Sequence, residues 1–396
     1  MREEFPRELV PRAQGLLSAM FGVGFAISLP LGSFVSQNYG WRDTYHSAIP
    51  IVVLLAILVV LVIRESSYRR PNVSVDYLGA ALLGGALAGV VTALSQGESW
   101  GWSSPLTIGF AVLGAALFIP FALYEAWWKK TGREPIVDQK LLRERNVAVT
   151  NVVLTVAGLG MYLALLTLIY QFEYPPASGG YGTLGSFNIL QAGLDIIPLA
   201  VSMTLVSVIA SLVVSRTGVK PIALLGSMIT AIGFFLVSQV TTLQGALLSE
   251  VVIGAGIALL NASIINLLVL TVDPKDLGQA TAMNNVFRNV GGSIGAPIAG
   301  SLLATYVITS GRLAGSGFPA HVAFVYAFWI AAIITVVGGV AIVFGEEVLG
   351  SRRHAKFAHH PQSRGGFGFS RPTATPEGPP GVPVPEASAL PRPRPD

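Results

Sequence analysis

The chain has 396 residues, 52% of them hydrophobic and 12% charged, with a mean hydropathy of +0.63 and a formal net charge of +4. Soluble domains carry about 25% charged residues, so this composition excludes a soluble protein, and the basic balance needs no nucleic acid to explain it. The absence of cysteine excludes disulfides, zinc–cysteine sites and thiol nucleophiles.

Residues 1–12 alternate charges and prolines and do not read as a cleaved signal peptide. A membrane-crossing helix needs roughly 20 mostly apolar residues, because each adds about 1.5 Å against a hydrocarbon core of about 30 Å. The first four stretches that meet this requirement are 13–36, 45–63, 77–95 and 105–128. Six more follow at 147–171, 188–214, 221–239, 246–270, 277–308 and 320–345. The ninth is over-long, which implies a strong tilt or an amphipathic start outside the bilayer. Barrel strands would alternate apolar and polar residues, and these runs do not. The expected fold class is therefore an all-α integral membrane protein of about ten transmembrane helices.

Loop charge gives an orientation. Apart from Arg42, Arg312 and the intramembrane Arg288, every Lys and Arg falls in a terminus or in alternate loops. Cations are retained on the cytoplasmic side, so both termini are expected there, in a multi-pass protein of the cell membrane. Trp41, Trp100 and Trp102 then fall at outer ends, and Trp127 with Trp128 at an inner end, where amphipathic rings settle. After Gly350 the composition turns to Pro, Gly, Ser, Arg and His, which predicts a disordered cytoplasmic tail over 350–396. His359 and His360 in that tail read as solvated rather than as metal ligands.

One internal repeat stands out. Gly15, Ser18, Ala19 and Met20 lead into Gly22, Gly24, Pro30 and Gly32 on the first span. Gly278, Thr281, Ala282 and Met283 lead into Gly291, Gly292, Gly295, Pro297 and Gly300 on the ninth. Glycine rows let helices approach closely, and proline bends them. Spans five to ten form a set of six with the second copy on its fifth member. Two parallel six-helix halves would place the first copy on the fifth helix of the first half, and here it lies on the first. The offset implies four further helices on the N-terminal side.

Four stretches resemble a known family. Arg12 to Gly32 is similar to the Gly/Pro antiporter motif of a fifth helix, and Gly40-Trp41-Arg42 to the G-W-R after it. Asp76-Tyr77-Leu78-Gly79-Ala80, with Gly97 and Gly101-Trp102 downstream, resembles the first of two helices inserted between the halves. Ser215 to Pro221 resembles a degenerate D-R-x-G-R-[RK] loop, with Ser215 in place of the aspartate. Arg288 with Gly291-Gly292-Ser293-Ile294-Gly295 resembles the R-x-x-G-G-S-x-G of the penultimate helix. The chain thus resembles the fourteen-helix drug:proton antiporter branch of the major facilitator superfamily, from its fifth helix to its end. Leu29 and Ser33 depart from the motif, each standing where the family has Gly.

The resemblance implies four parts: 1–64 as the last two helices of an N-terminal bundle, 65–145 as two inserted helices, 146–349 as a six-helix C-terminal bundle, and 350–396 as the tail. It implies secondary efflux of hydrophobic or cationic compounds in exchange for protons, by alternating access. The partners it implies are the bilayer, a small-molecule substrate, protons and the N-terminal four-helix segment, with no cofactor. A non-transporting remnant, or one piece of a split transporter, is the alternative function. A membrane enzyme is disfavoured because no catalytic constellation, P-loop, H-E-x-x-H or G-x-S-x-G is present.

Ionisable groups inside a membrane are costly, so each is a functional candidate. Glu250, on a span the resemblance makes cavity-lining, and Asp195, set deeper in its own span, are the proton-coupling candidates. Glu173 ends the fifth span. For Glu250 and Asp195 the alternative is a place in headgroup water. Arg288, with Asn284, Asn285 and Asn289 within a turn, is an interface or gating candidate, or else a fixed hydrogen-bond hub. Asn261 and Asn266 could contact substrate or bond between helices. Gly180 to Gly185 matches G-x-G-x-x-G but follows no strand, and Asn72-Val-Ser74 matches a glycosylation sequon on the side expected to be cytoplasmic.

Overall fold

Apolar stretches become helices throughout the computed structural model, which describes residues 10–62, 75–133, 135–182, 188–272, 276–309 and 315–345. The chain divides into a unit of residues 1–353 and another of 354–396, and every described residue belongs to the first. The expected tail, the His359–His360 pair and the sequon at Asn72 lie outside the described residues.

The helices are α1 (Val10–Tyr39), α2 (Trp41–Val62), α3 (Tyr77–Trp100), α4 (Pro105–Lys130), α5 (Gln139–Leu142) and α6 (Arg145–Glu173). They continue as α7 (Ile189–Asp195), α8 (Ile197–Thr217), α9 (Val219–Gln239), α10 (Leu243–Thr271), α11 (Leu277–Thr305) and α12 (His321–Ala341). Among the described residues, eight passages are long and apolar enough to cross a membrane, α7 and α8 counting together as one. α1 and α11 are the other two long helices. α11 is more polar than the eight, because Gln279, Asn284, Asn285, Arg288 and Asn289 interrupt it.

Local chemistry sets the helix ends. Asp76 caps α3 by accepting from the Gly79 amide at 2.7 Å. Ser104 caps α4 at 3.2 Å from the Thr107 amide, with Pro105 in the first turn, where its missing N–H costs nothing. Lys129 and Lys130 close α4, favourably placed on the negative end of its dipole. Thr242 caps α10 in the same way, 3.2 Å from the Gly245 amide.

In a bilayer, helices gain little from hiding apolar surface from one another, so close approach and hydrogen bonds select their neighbours. α6 packs against α11 and α12, α10 against α8 and α9, and α9 against α12. α1 lies along α8, while α3 and α4 pair and α3 touches α11. α2 has no buried residue, its apolar side chains facing outward on all sides.

Two features depart from the sequence expectation. The single helix expected over 188–214 is broken at Ile196, where α7 ends and α8 begins. Asn188 caps α7 at 3.0 Å from the Gln191 amide, and Pro198 starts α8, where a residue without N–H is tolerated only in the first turn. The segment between α4 and α6 is also folded: Asp138 caps the short α5, and Leu141 joins Val147, Leu268, Val272, Ala280 and Met283 in a small core.

Candidate functional site

Glu250 lies seven residues into α10, about 10 Å along the helix at 1.5 Å per residue. It is fully buried, and neither carboxylate oxygen has a well-aligned hydrogen-bond partner. The backbone amide of Leu199, in the first turn of α8, and the carboxyl of Asp195 are close enough to act on it. The break at Ile196 therefore turns a helix N-terminus, with its free N–H groups, toward Glu250.

Asp195 is the last residue of α7, half-buried, and accepts from Gln191 Nε2 at 2.8 Å. It sits at a helix end rather than deep within a continuous span, because the chain breaks immediately after it. Glu173 is likewise terminal, the last residue of α6. Glu250 of α10 and Asp195, at the end of α7, are thus near enough to act on one another. The α8–α10 interface beside them is fixed by Ser202 Oγ donating to the Val251 carbonyl at 2.6 Å.

Arg288 occupies the middle of α11, partly buried, with Nη2 donating to Asn285 Oδ1 at 3.0 Å. Asn285 is itself steadied by donating to the Thr281 carbonyl at 3.1 Å. Asn284, one position earlier, is buried and accepts from Thr150 Oγ1 of α6 at 3.4 Å. So Asn285 orients the guanidinium and Asn284 ties the helix to its neighbour. Asn289 faces outward, and Asn266 bonds back to the Ala262 carbonyl of its own helix at 2.8 Å.

Arg288 and Asn261 line a cavity of about 30 Å³ together with Met161, Thr230, Phe234 and Thr335. A second cavity of about 10 Å³ shares Met161, Phe234 and Ile257 with it and reaches Phe25 of α1. Drug-sized ligands need roughly 300–1,000 Å³, so the helices here are closed around space for water only.

The repeat glycines divide. Gly22 is buried where a methyl group would strike Thr204 Oγ1 and the Ala200 carbonyl of α8. Gly24 has open space, Gly32 has only Thr44 nearby at 3.9 Å, and Pro30 lies inside α1. On α11, Gly291 and Gly295 press on the Thr155 and Leu159 carbonyls of α6, and Gly158 of α6 presses on the Arg288 carbonyl. Sequence reasoning passed over Glu125, which is 2% exposed near the end of α4. A carboxylate within an apolar run was the available signal.

Known proteins supply the remaining context. The family described as the Major Facilitator Superfamily matches residues 1–296 and 188–374. The Tetracenomycin C resistance and export protein of Streptomyces glaucescens is 22% identical over 310 residues, covering 78% of this chain and 55% of that one. Multidrug resistance protein Stp of Mycobacterium tuberculosis is 25% identical over 301 residues, with 75% and 53% covered. The chain thus spans about half the length of the curated relatives it matches. A crystal structure of the nucleoside transporter NupG is 17% identical, with 84% of each chain covered and a TM-score of 0.42.

Proposed function

The chain belongs to the Major Facilitator Superfamily, a family of transporters rather than catalysts, and from that premise we propose that it serves proton-coupled efflux of hydrophobic or cationic compounds by alternating access. The observation that carries this reading is Glu250, a fully buried carboxylate whose oxygens lack well-aligned partners. A buried carboxylate demands a proton or a cation, and a group that accepts either in turn exchanges one for the other. Asp195 is the second acid of the site.

The remaining assignments extend the same reading. The Gly/Pro repeat and the α3–α4 pair favour the fourteen-helix drug:proton antiporter branch, with residues 1–64, 65–145 and 146–349 as its successive parts. The repeat offset calls for a four-helix segment completing the first bundle, and transport is assigned to the chain together with that segment. Loop charge favours cytoplasmic termini. Arg288, held by Asn285 and tied through Asn284 to α6, is assigned to the moving interface.

The test is transport in everted vesicles carrying the protein completed by that segment, with tetraphenylphosphonium as the cationic probe. A pH gradient should drive accumulation, and Glu250→Gln, which keeps the shape and removes the titration, should abolish it. Equal pH-driven transport by Glu250→Gln and by Asp195→Asn would remove coupling from both residues. Absence of any transport would favour the non-transporting reading.

A further inference from the structure

α4 carries two kinds of surface. Gly114 presses on Gly89 and the Ala86 carbonyl of α3, so the small face of α4 is taken up by its partner helix. On the opposite face stand Val112, Ile119 and Leu123, with Trp127 at their edge, each more than half exposed. Helical spacing places these positions in one stripe, and Lys130 completes it about 27 Å along the helix from Val112. Membrane helices meet one another through small residues, so a stripe of large aliphatic side chains suits an acyl chain instead. The stripe ends in an aromatic cluster. The rings of Tyr124, Trp127 and Trp128 lie 5.5–6.3 Å apart, the kind of group that settles at the headgroup level of a bilayer.

Just beyond that cluster the chain folds back and gathers cations. Arg133 stacks over the Trp128 ring at 4.4 Å. Lys129 Nζ donates to Asp138 Oδ1, and Gln139 Nε2 donates to the Ala122 carbonyl at 2.9 Å, so the start of α5 is fastened to the end of α4. Glu125 accepts the Ile136 and Val137 amides at 3.3 Å each, and Leu141 is buried in the core beneath. Lys140 and Arg143, three residues apart, fall on one side of the α5 turn. Lys130, Arg133, Lys140 and Arg143 are all exposed. Asp138 is engaged by Lys129 and by the Lys140 and Leu141 amides, while Arg145 is turned to the Phe344 carbonyl at 2.6 Å. The exposed Glu144 reduces the positive charge of this corner without cancelling it.

We propose that the α4–α5 corner binds one anionic phospholipid, its phosphate held by Lys130, Arg133, Lys140 and Arg143 and an acyl chain laid along the α4 stripe. The stripe alone would accept any lipid and the cations alone any anion; their junction selects a molecule that has both parts. Guanidinium groups can donate to two phosphate oxygens at once, and the ammonium groups add charge from either side. The headgroup bridges α4 to α5 from outside, where Glu125 bridges them from within. Because the Pro135 carbonyl accepts Gln279 Nε2 at 2.7 Å, the bound lipid also braces the first turn of α11.

The test is native mass spectrometry of the purified full chain in mixed micelles, titrated with phosphatidylglycerol or phosphatidylcholine. One phosphatidylglycerol should stay bound where phosphatidylcholine exchanges away. Each cation near an anionic headgroup is worth roughly a fivefold gain, so removing two should weaken binding about twenty-fold. That loss is expected for Lys130→Gln with Arg133→Gln, and separately for Lys140→Gln with Arg143→Gln. Arg216→Gln, at the end of α8, should bind as the wild type does. A loss from only one pair would overturn the shared site, and a loss in Arg216→Gln as well would reduce it to bulk charge. Displacement by millimolar glycerol phosphate would make the ligand a free phosphate and overturn the lipid. Should the paired variants not fold, brominated lipids decide. Brominated phosphatidylglycerol should quench tryptophan fluorescence at a lower mole fraction than brominated phosphatidylcholine, and Trp127→Phe should remove that difference. Equal quenching by the two lipids, or a difference that survives in Trp127→Phe, overturns the proposal.

Discussion

The Ser202 hydroxyl of α8 donates to the Val251 carbonyl of α10 at 2.6 Å, one residue beyond Glu250. This bond crosses the interface in which the buried carboxylate sits. Ser202→Ala removes the donor without adding bulk, and hydrogen bonds between membrane helices are worth about 0.6 kcal/mol on average. A small fall in Tm is expected, together with a changed pH profile of transport because the Leu199 amide loses its register with Glu250. An unchanged profile alongside a lowered Tm would mean that the bond only holds the helices together.

Gly158 has no room for a side chain, since the Arg288 carbonyl lies against it. Gly158→Ala should force α6 and α11 apart at a cost of about 1–3 kcal/mol, typical of overpacking. Gly24→Ala adds the same methyl group in open space and should leave stability unchanged. Thermal unfolding in one detergent compares the two, and equal Tm values would remove the close-approach argument.

Asp138 offers a pH test outside the spans. Burial acts most strongly on its carboxyl and pushes the pKa up. The Lys129 side chain and the Lys140 and Leu141 amides outweigh that push, so the net value lies below the usual range. A depressed carboxylate contributes stability that is present above its unfolded pKa of about 3.9 and is lost as pH falls through the folded value. Asp138→Asn should therefore be less stable than wild type near neutrality, and the difference should vanish at strongly acid pH. A gap that persists in acid would locate the effect in helix capping by shape rather than in charge.

Topology is open to labelling. Ser316 and Thr241 are exposed in loops expected to face outward, and Thr131 is exposed in a loop expected to face the cytoplasm. Ser178, also in a loop expected to face outward, is 1% exposed and bonded to the Pro175 carbonyl, which makes it a poor reporter. With no native cysteine present, single cysteines at Ser316 and Thr241 should react with an impermeant reagent on intact cells, and one at Thr131 should not. The reverse pattern would invert the orientation.

Hydropathy made the long helices legible, because lipid leaves a spanning backbone few alternatives to a continuous apolar helix. It is blind to a break within an apolar run, so Ile196 stayed hidden even though Pro198 marked it. The short α5 was missed for a different reason. Its four residues owe their helix to the Asp138 cap and to packing of Leu141, and neither leaves a periodic pattern. Glycine spacing announced close approach on α11 but could not say that Gly22 touches α8 while Gly24 touches nothing. As for the acids, sequence singled out Glu250 by residue type and place, whereas Glu125 owes its burial to the Ile136 and Val137 amides that fold back on it, which no pattern in the sequence announces.

The row formed by Gly158, Gly291 and Gly295 has a mechanical consequence. Backbones in such tight contact cannot slide without steric collision, and packed surfaces resist continuous deformation. α6 and α11 therefore travel as a single stiff beam. Any swing of one carries the other, Arg288 included, and relative motion falls to sparser seams such as that between α3 and α11.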